Sequence, residues 1–217
     1  VLTRWFHPSE GTLDPDSFIK LFEDNGIITQ LDMYIWEEAA KLIKKWNKKG
    51  YTLPPLSINV STKDLYYIDI ISFFKDLLEK YDIKPSQLKL EITETALLVD
   101  NKTKISVLSK LREMGFEIAI DDFGARSSSL NILKDIKFDF IKLDLLKLSS
   151  SQTKENSERM IVAIINLVRN LNIKIMTEGV ETKNQYEFLK SNGCNYFQGF
   201  YLEKPMDVLQ FENKYIK

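Results

Sequence analysis

The chain is poor in soft metal-binding side chains and in covalent staples. Its 217 residues include one cysteine, Cys194, and one histidine, His7. A lone cysteine excludes an internal disulfide framework and fits a reducing compartment. Charge of one sign is also missing: 30 basic residues face 31 acidic ones, for a net charge of -1. Bulk electrostatics therefore gives no grip on long nucleic acid or an anionic membrane, and any anionic ligand must be held locally. No apolar run is long enough to span a bilayer, and no basic-then-apolar signal segment opens the chain. The expectation is a soluble, cytoplasmic domain with no membrane contact of its own, in a protein free to carry an anchor elsewhere. With 44% hydrophobic residues, a chain of this length can bury one large core, which excludes disorder.

Helix and strand signals alternate almost throughout. Asp14 and Pro15 open a short helix that ends near Gly26, and Thr29 opens a long one that stops at Gly50. The strand LSINV follows, then a helix over about 68–81, Pro85 and the strand LKLEIT. Asp100 caps a helix that stops at Gly115, and EIAIDD, KFDFIKLD and IKIMTEG are the next strands. A helix over about 155–171 lies between the last two, Thr182 with Gln185 forms a capping box, and a final strand lies near Tyr196. This order predicts an α/β fold, a TIM-like (β/α)8 barrel. Residues 2–5 read as the end of a strand, which brings the count to seven where such a barrel needs eight. The expectation is one domain over residues 1–217, N-terminally incomplete, lacking the first strand and the start of the second. A seven-stranded or open sheet is the alternative.

Period-two alternation assigns directions. Ile58, Leu88, Leu90, Ile92, Ile118, Ile120, Ile141 and Leu143 fall on one face, for packing against helices. The other face carries Asn59, Lys89, Glu91, Asp121, Lys142 and Glu178, which is unusually polar for a buried surface. In a closed parallel barrel that face narrows to the rim at the strands' carboxyl ends, where such folds keep their sites. Asp122 has the wrong parity and must turn inward just past its strand.

Asn59, Glu91, Asp121, Asp122 and Glu178 offer one neutral and four anionic oxygen donors. Oxygen-only ligation suits Mg2+ or Mn2+, and His7 is better explained by a local His-Pro turn. Four carboxylates this close need cations to stay ionised, and the neighbouring aspartates suggest two metals rather than one. A two-metal site activates water for attack on a phosphodiester, and Lys142 can orient that water or offset transition-state charge. Singly, each residue has a plainer reading. Asn59 and Gln198 can be satisfied polar groups, Asp121 and Asp122 helix caps, Lys142 an ion-pair partner of Asp144, and Arg4 a stacking partner of Trp5. Their joint occurrence on successive strand ends outweighs these. A lyase or racemase with Lys142 as base beside one Mg2+ is a further reading, which the adjacent aspartates disfavour.

With LTRWFHP, SINVS, LEITET, DDFG, IKLD, EGVET and QGFYLEKP in this order and spacing, the chain resembles the EAL-type cyclic di-GMP phosphodiesterases, as an EVL-like variant, over nearly its whole length. The resemblance implies that Asn59, Glu91, Asp121, Asp122 and Glu178 bind the metals and that Lys142 assists the nucleophilic water. It places Arg4 and Gln198 near the substrate phosphate and metal site, Glu181 as a brace, and Glu94 as support for the loop after DDFG. The implied reaction is hydrolysis of one phosphodiester of cyclic di-GMP to linear pGpG, by a homodimer fused to an upstream regulatory domain. Two departures stand out. The family's own glutamate would lie just before Val1, and the loop after DDFG carries Ala125, Arg126 and Ser127 in place of the usual threonine, glycine and tyrosine. These keep open a catalytically silent relative that binds cyclic di-GMP or a protein partner as a sensor.

Overall fold

The computed structural model describes residues 1–97, 101–124, 133–134, 136–149 and 153–216. In chain order its elements are β1 (Trp5–His7), β2 (Gly11–Leu13), α1 (Pro15–Asp24), α2 (Ile28–Lys48), β3 (Leu56–Asn59), α3 (Asp64–Tyr67), α4 (Ile70–Tyr81), β4 (Leu88–Thr93), α5 (Glu94–Leu97) and α6 (Asn101–Glu113). Then follow β5 (Glu117–Asp121), β6 (Phe140–Asp144), α7 (Leu145–Ser149), α8 (Lys154–Asn170), β7 (Lys174–Glu178), α9 (Lys183–Ser191), β8 (Tyr196–Phe197) and α10 (Val208–Tyr215). The chain divides into two compact units, Val1–Ile92 with Val99–Glu117, and Thr93–Leu98 with Ile118–Lys217.

In the first unit, β3 and β4 run parallel with Leu56 beside Leu88 and Asn59 beside Glu91. The apolar residues of their helix-packing face, Ile58, Leu88, Leu90 and Ile92, are fully buried. The long helix α2 buries Ile28, Asp32, Trp36, Ala39, Ala40, Ile43 and Trp46, a stripe at three- and four-residue spacing that marks a core-facing helix. Trp36 stacks on Phe74 at 4.9 Å between ring centroids, and Phe74 meets Phe116 at 5.0 Å. Full burial of a ring of this kind stabilises by about 1.5–3 kcal/mol. The Trp36 indole N–H also donates to the Asn59 carbonyl at 2.8 Å, tying the core to the end of β3.

Three expectations are corrected here. Residues 1–4 are not in a strand; Trp5–His7 instead pairs antiparallel with Gly11–Leu13, Trp5 opposite Leu13. Gly11, at φ +74°, supplies the left-handed backbone this hairpin needs, and Trp5 packs edge-on against Phe18 of α1 at 5.5 Å. The helix expected from residue 68 starts at Ile70, because Ile68 is extended and the Asp69 carboxylate caps the Ser72 N–H at 3.1 Å. Thr29 does not open α2; it is buried within the first turn, one residue past the start.

One polar pair lies inside this unit. Asp32 of α2 is 9% exposed and Asp64 of α3 is 0% exposed, and their side chains share a hydrogen bond. Asp64 Oδ2 also accepts the Ser61 N–H at 2.7 Å. Burial, and then the charge and hydrogen bond of Asp64, push the Asp32 carboxyl up to about 9, so Asp32 is neutral at physiological pH.

The second unit contains the parallel ladder β5 to β8, with Ile120 beside Ile141, Lys142 beside Met176, Asp144 beside Glu178, and Thr177 beside Phe197. Both faces are covered: Ile118, Ile120, Ile141 and Leu143 are fully buried on one, and Ala119, Phe140 and Lys142 on the other, as a parallel sheet requires. Helix α8 buries Ile161, Ile165 and Val168. The predicted capping box is present, with Thr182 accepting the Gln185 N–H and Gln185 accepting the Thr182 N–H.

Candidate functional site

At the carboxyl end of the second ladder, three chain segments bring their polar side chains together. Asp121 ends β5, Lys142 lies in β6, and Glu178 ends β7. The Lys142 ammonium is 3.2 Å from Asp121 Oδ1 and paired with Glu178, with its side chain only 6% exposed. Lys142 thus pairs across strands rather than serving Asp144 alone. The Asp144 carboxylate is engaged at the start of α7, where Oδ1 accepts the N–H groups of Leu146 at 2.8 Å and Lys147 at 3.3 Å.

Asp122 departs from the strand as its parity demands. Its φ of 58° lies in the left-handed region, which aspartate visits more readily than most residues. Its N–H donates to Asp121 Oδ1 at 2.9 Å, and its Oδ2 is 2.6 Å from the Lys147 ammonium. Lys147 was not anticipated from sequence, although an aspartate capping a helix with a lysine three residues on, Asp144 to Lys147, is a local signal of where that lysine starts. Partial burial works to lower the Lys147 pKa, but the hydrogen bond to Asp122 and the charges of Asp122, Asp144 and Asp121 raise it overall.

Glu94 of α5 reaches the described part of the DDFG segment. It is 1% exposed, and its Oε2 accepts the Gly124 N–H at 3.1 Å. The neighbouring Phe123 N–H donates to the Lys142 carbonyl at 3.1 Å, so the DDFG backbone is tied to α5 through the Glu94 side chain and to β6 through a backbone bond. Ala125, Arg126, Ser127 and the cap Asp100 lie outside the described residues. Gln198 is exposed just past β8; its N–H donates to Thr177 and its carbonyl accepts the Val180 N–H. The next residue must be small, since a Cβ on Gly199 would lie 2.1 Å from the Val180 carbonyl oxygen. Glu181 is exposed, its N–H donating to Gln185 at 2.8 Å. In the first unit, Asn59 and Glu91 stand side by side at the strand ends, with the Glu91 carbonyl accepting the Val60 N–H at 2.9 Å. Arg4 is exposed and donates to the Thr3 carbonyl at 2.8 Å.

The donor set is chemically suited to a hard divalent cation, since Asp121, Asp122 and Glu178 are all carboxylates and Asp121 and Glu178 already converge on one cationic point, the Lys142 ammonium. Among the described residues, no three acidic, histidine or cysteine side chains stand as a ready metal cage. Lys142 and Lys147 divide the three carboxylates between them instead.

The EAL domain family model matches residues 1–205. The chain belongs to the EAL domain family. It is 36% identical to signaling protein YkoW of Bacillus subtilis over 98% of this chain and 26% of that protein. It is 31% identical to the cyclic di-GMP phosphodiesterase PdeR of Escherichia coli over 99% of this chain and 32% of that protein. Among solved structures it matches the PaMucR phosphodiesterase in its c-di-GMP complex with a TM-score of 0.90 and 34% identity, over 97% of this chain and 85% of that one. MucR is a protein of Pseudomonas aeruginosa. This agreement confirms the TIM-like βα fold class expected from the alternation of elements. The EAL domain spans about a quarter to a third of the curated relatives it matches. No helix among the described residues is long and apolar enough to cross a membrane.

Proposed function

We propose that this EAL domain is a metal-dependent phosphodiesterase that hydrolyses one phosphodiester of cyclic di-GMP to linear pGpG. The observation that carries the reading is the buried Lys142 ammonium held between Asp121 and Glu178 at the ends of parallel strands. An amine so fixed is a preorganised positive charge in a dry setting, where it counts for more than in water. The relatives named as cyclic di-GMP phosphodiesterases supply the substrate class.

Asn59, Glu91, Asp121, Asp122 and Glu178 are the residues that would hold Mg2+ or Mn2+, two ions per site. Once bound, the ions supply Lewis-acid stabilisation of the phosphate oxygens. Lys142 orients the attacking water, which gives up a proton as its oxygen adds to phosphorus, and offsets the negative charge that gathers on the phosphoryl oxygens. One phosphorus–oxygen ester bond breaks, the departing ribose oxygen takes a proton, and the ring opens to a linear dinucleotide. Arg4 and Gln198 bind near the phosphate, Glu181 braces the segment before α9, and Glu94 holds the DDFG backbone through Gly124. The domain acts in the cytoplasm, as a homodimer and as one module of a longer signalling protein whose other parts regulate it.

The test is a product assay on the full-length protein with cyclic di-GMP, with and without Mn2+. Formation of pGpG only with metal, abolished in a folded Asp121→Asn variant, is expected. Undiminished turnover by that variant would sink the metal assignment. Tight dinucleotide binding with no product under any metal would replace the enzyme by a sensor.

A further inference from the structure

The mechanism uses Lys142 and leaves Lys147 unexplained. Lys147 is not a surface lysine whose direction is left to chance. Its helix is started by Asp144, whose Oδ1 receives the N–H groups of Leu146 and of Lys147 itself. The same helix is confined on two sides by glycines. A Cβ on Gly179, the residue after Glu178, would lie 3.3 Å from Leu146, and one on Gly124, two residues after Asp122, would lie 3.3 Å from Leu148. Both glycines have positive φ, +71° and +90°, so the backbone beside two candidate ligands is shaped to let α7 approach. The outcome is an ammonium 2.6 Å from Asp122 Oδ2 and 3.8 Å from Asp144 Oδ2.

The two lysines differ in what they can do. The Lys142 side chain is 6% exposed and held by two strands, whereas that of Lys147 is 50% exposed. Lys147 also has a flexible four-carbon stem with water beside it. Only Lys147 can leave without dragging the sheet. Counted over the three candidate ligands Asp121, Asp122 and Glu178 and the two ammonium groups alone, the net charge is about -1, a weak attraction for a divalent ion. Swinging Lys147 into solvent doubles that charge and frees Asp122.

We propose that Lys147 is an internal counter-ion of Asp122 that a divalent cation must displace, so that this residue sets the metal concentration at which the domain is loaded. The proposal depends on the metal reading given above. It makes the domain responsive to divalent-ion supply, because the competition-weakened affinity moves loading into a higher concentration range. The cost of competition is that of a half-exposed ion pair, which in affinity terms is about two- to fivefold.

The experiment is a direct Mn2+ titration followed by loss of the free Mn2+ electron paramagnetic resonance signal, on wild type, Lys147→Met, Lys147→Gln and Lys147→Arg, with Asp121→Asn as the control for the metal site. Folding of each variant is checked by thermal melting. The neutral variants should bind Mn2+ about two- to fivefold more tightly, while Lys147→Arg, which keeps the charge, stays near wild type. Wild type that takes up Mn2+, loses it in Asp121→Asn and is unchanged or weakened in both neutral variants would overturn the counter-ion role and leave the metal reading standing. Tightening in all three variants, arginine included, would equally overturn it, since charge would not be the cause. No Mn2+ uptake by wild type or by the neutral variants, with cyclic di-GMP present, would overturn both readings together.

Discussion

Replacing Asp32 by asparagine should change how stability depends on pH, and the sign follows from the pair it forms with Asp64. In the native state Asp32 keeps its proton up to about pH 9, whereas in the unfolded chain it loses it near pH ~3.9. Between those values the native state binds the extra proton, so rising pH favours unfolding, and above about 9 the loss is complete. The slope from one such proton is at most about 1.4 kcal/mol per pH unit, or about 3 kcal/mol between roughly pH 5.5 and pH 7.5. Asparagine keeps the size and a hydrogen bond to Asp64 while removing the proton. The variant should therefore lose less stability than wild type over that interval and equal or exceed it at the upper end. Urea unfolding followed by tryptophan fluorescence is well placed to read this, because Trp5, Trp36 and Trp46 all lie in the unit that contains Asp32 and Asp64. Parallel pH profiles for wild type and Asp32→Asn, or a wild type that gains on the variant as pH rises, would refute the buried neutral carboxyl.

Lys142→Ala should lower kcat by about a hundredfold or more while altering KM and the Kd for cyclic di-GMP far less, because the role proposed for its charge is in the transition state. Steady-state kinetics with a separate binding titration checks this, and a loss confined to binding would remove Lys142 from the chemical step. Gly199→Ala should destabilise the second unit by about 3 kcal/mol or more, since its Cβ would lie 2.1 Å from a Val180 oxygen and the Val180 N–H is already bonded to Gln198. Thermal melting reads the loss, and a variant that melts with wild type would show that this crossing can open.

Part of the candidate site's local geometry was legible in the sequence. The period-two pattern of EIAID and FIKLD assigned Asp121 and Lys142 to the same face, since alternation is a local property of an extended chain. The same parity argument required Asp122 to turn, and its φ of 58° is that turn. Thr182 and Gln185 encoded their own helix start for an equally local reason. The expectation failed at residues 2–5, where a short apolar run suits a parallel strand or a hairpin equally well; the turn at Gly11 and the packing of Trp5 on Phe18 chose the hairpin.

Partner choice required the tertiary structure. Lys142 had Asp144 two residues away, yet it pairs with Asp121 and Glu178, because strand register brings distant residues closer than chain proximity does. Asp32 and Asp64 are far apart along the chain, and only the packing of α2 against the segment after β3 buries them together. Lys147 finds Asp122 because α7 is capped by Asp144 and seated against Gly124 and Gly179. The order of residues dictates which groups reach the ends of the strands and what chemistry they can offer. Which of those charges neutralise one another is decided by distances of a few ångströms between segments, and these exist only once the chain has folded.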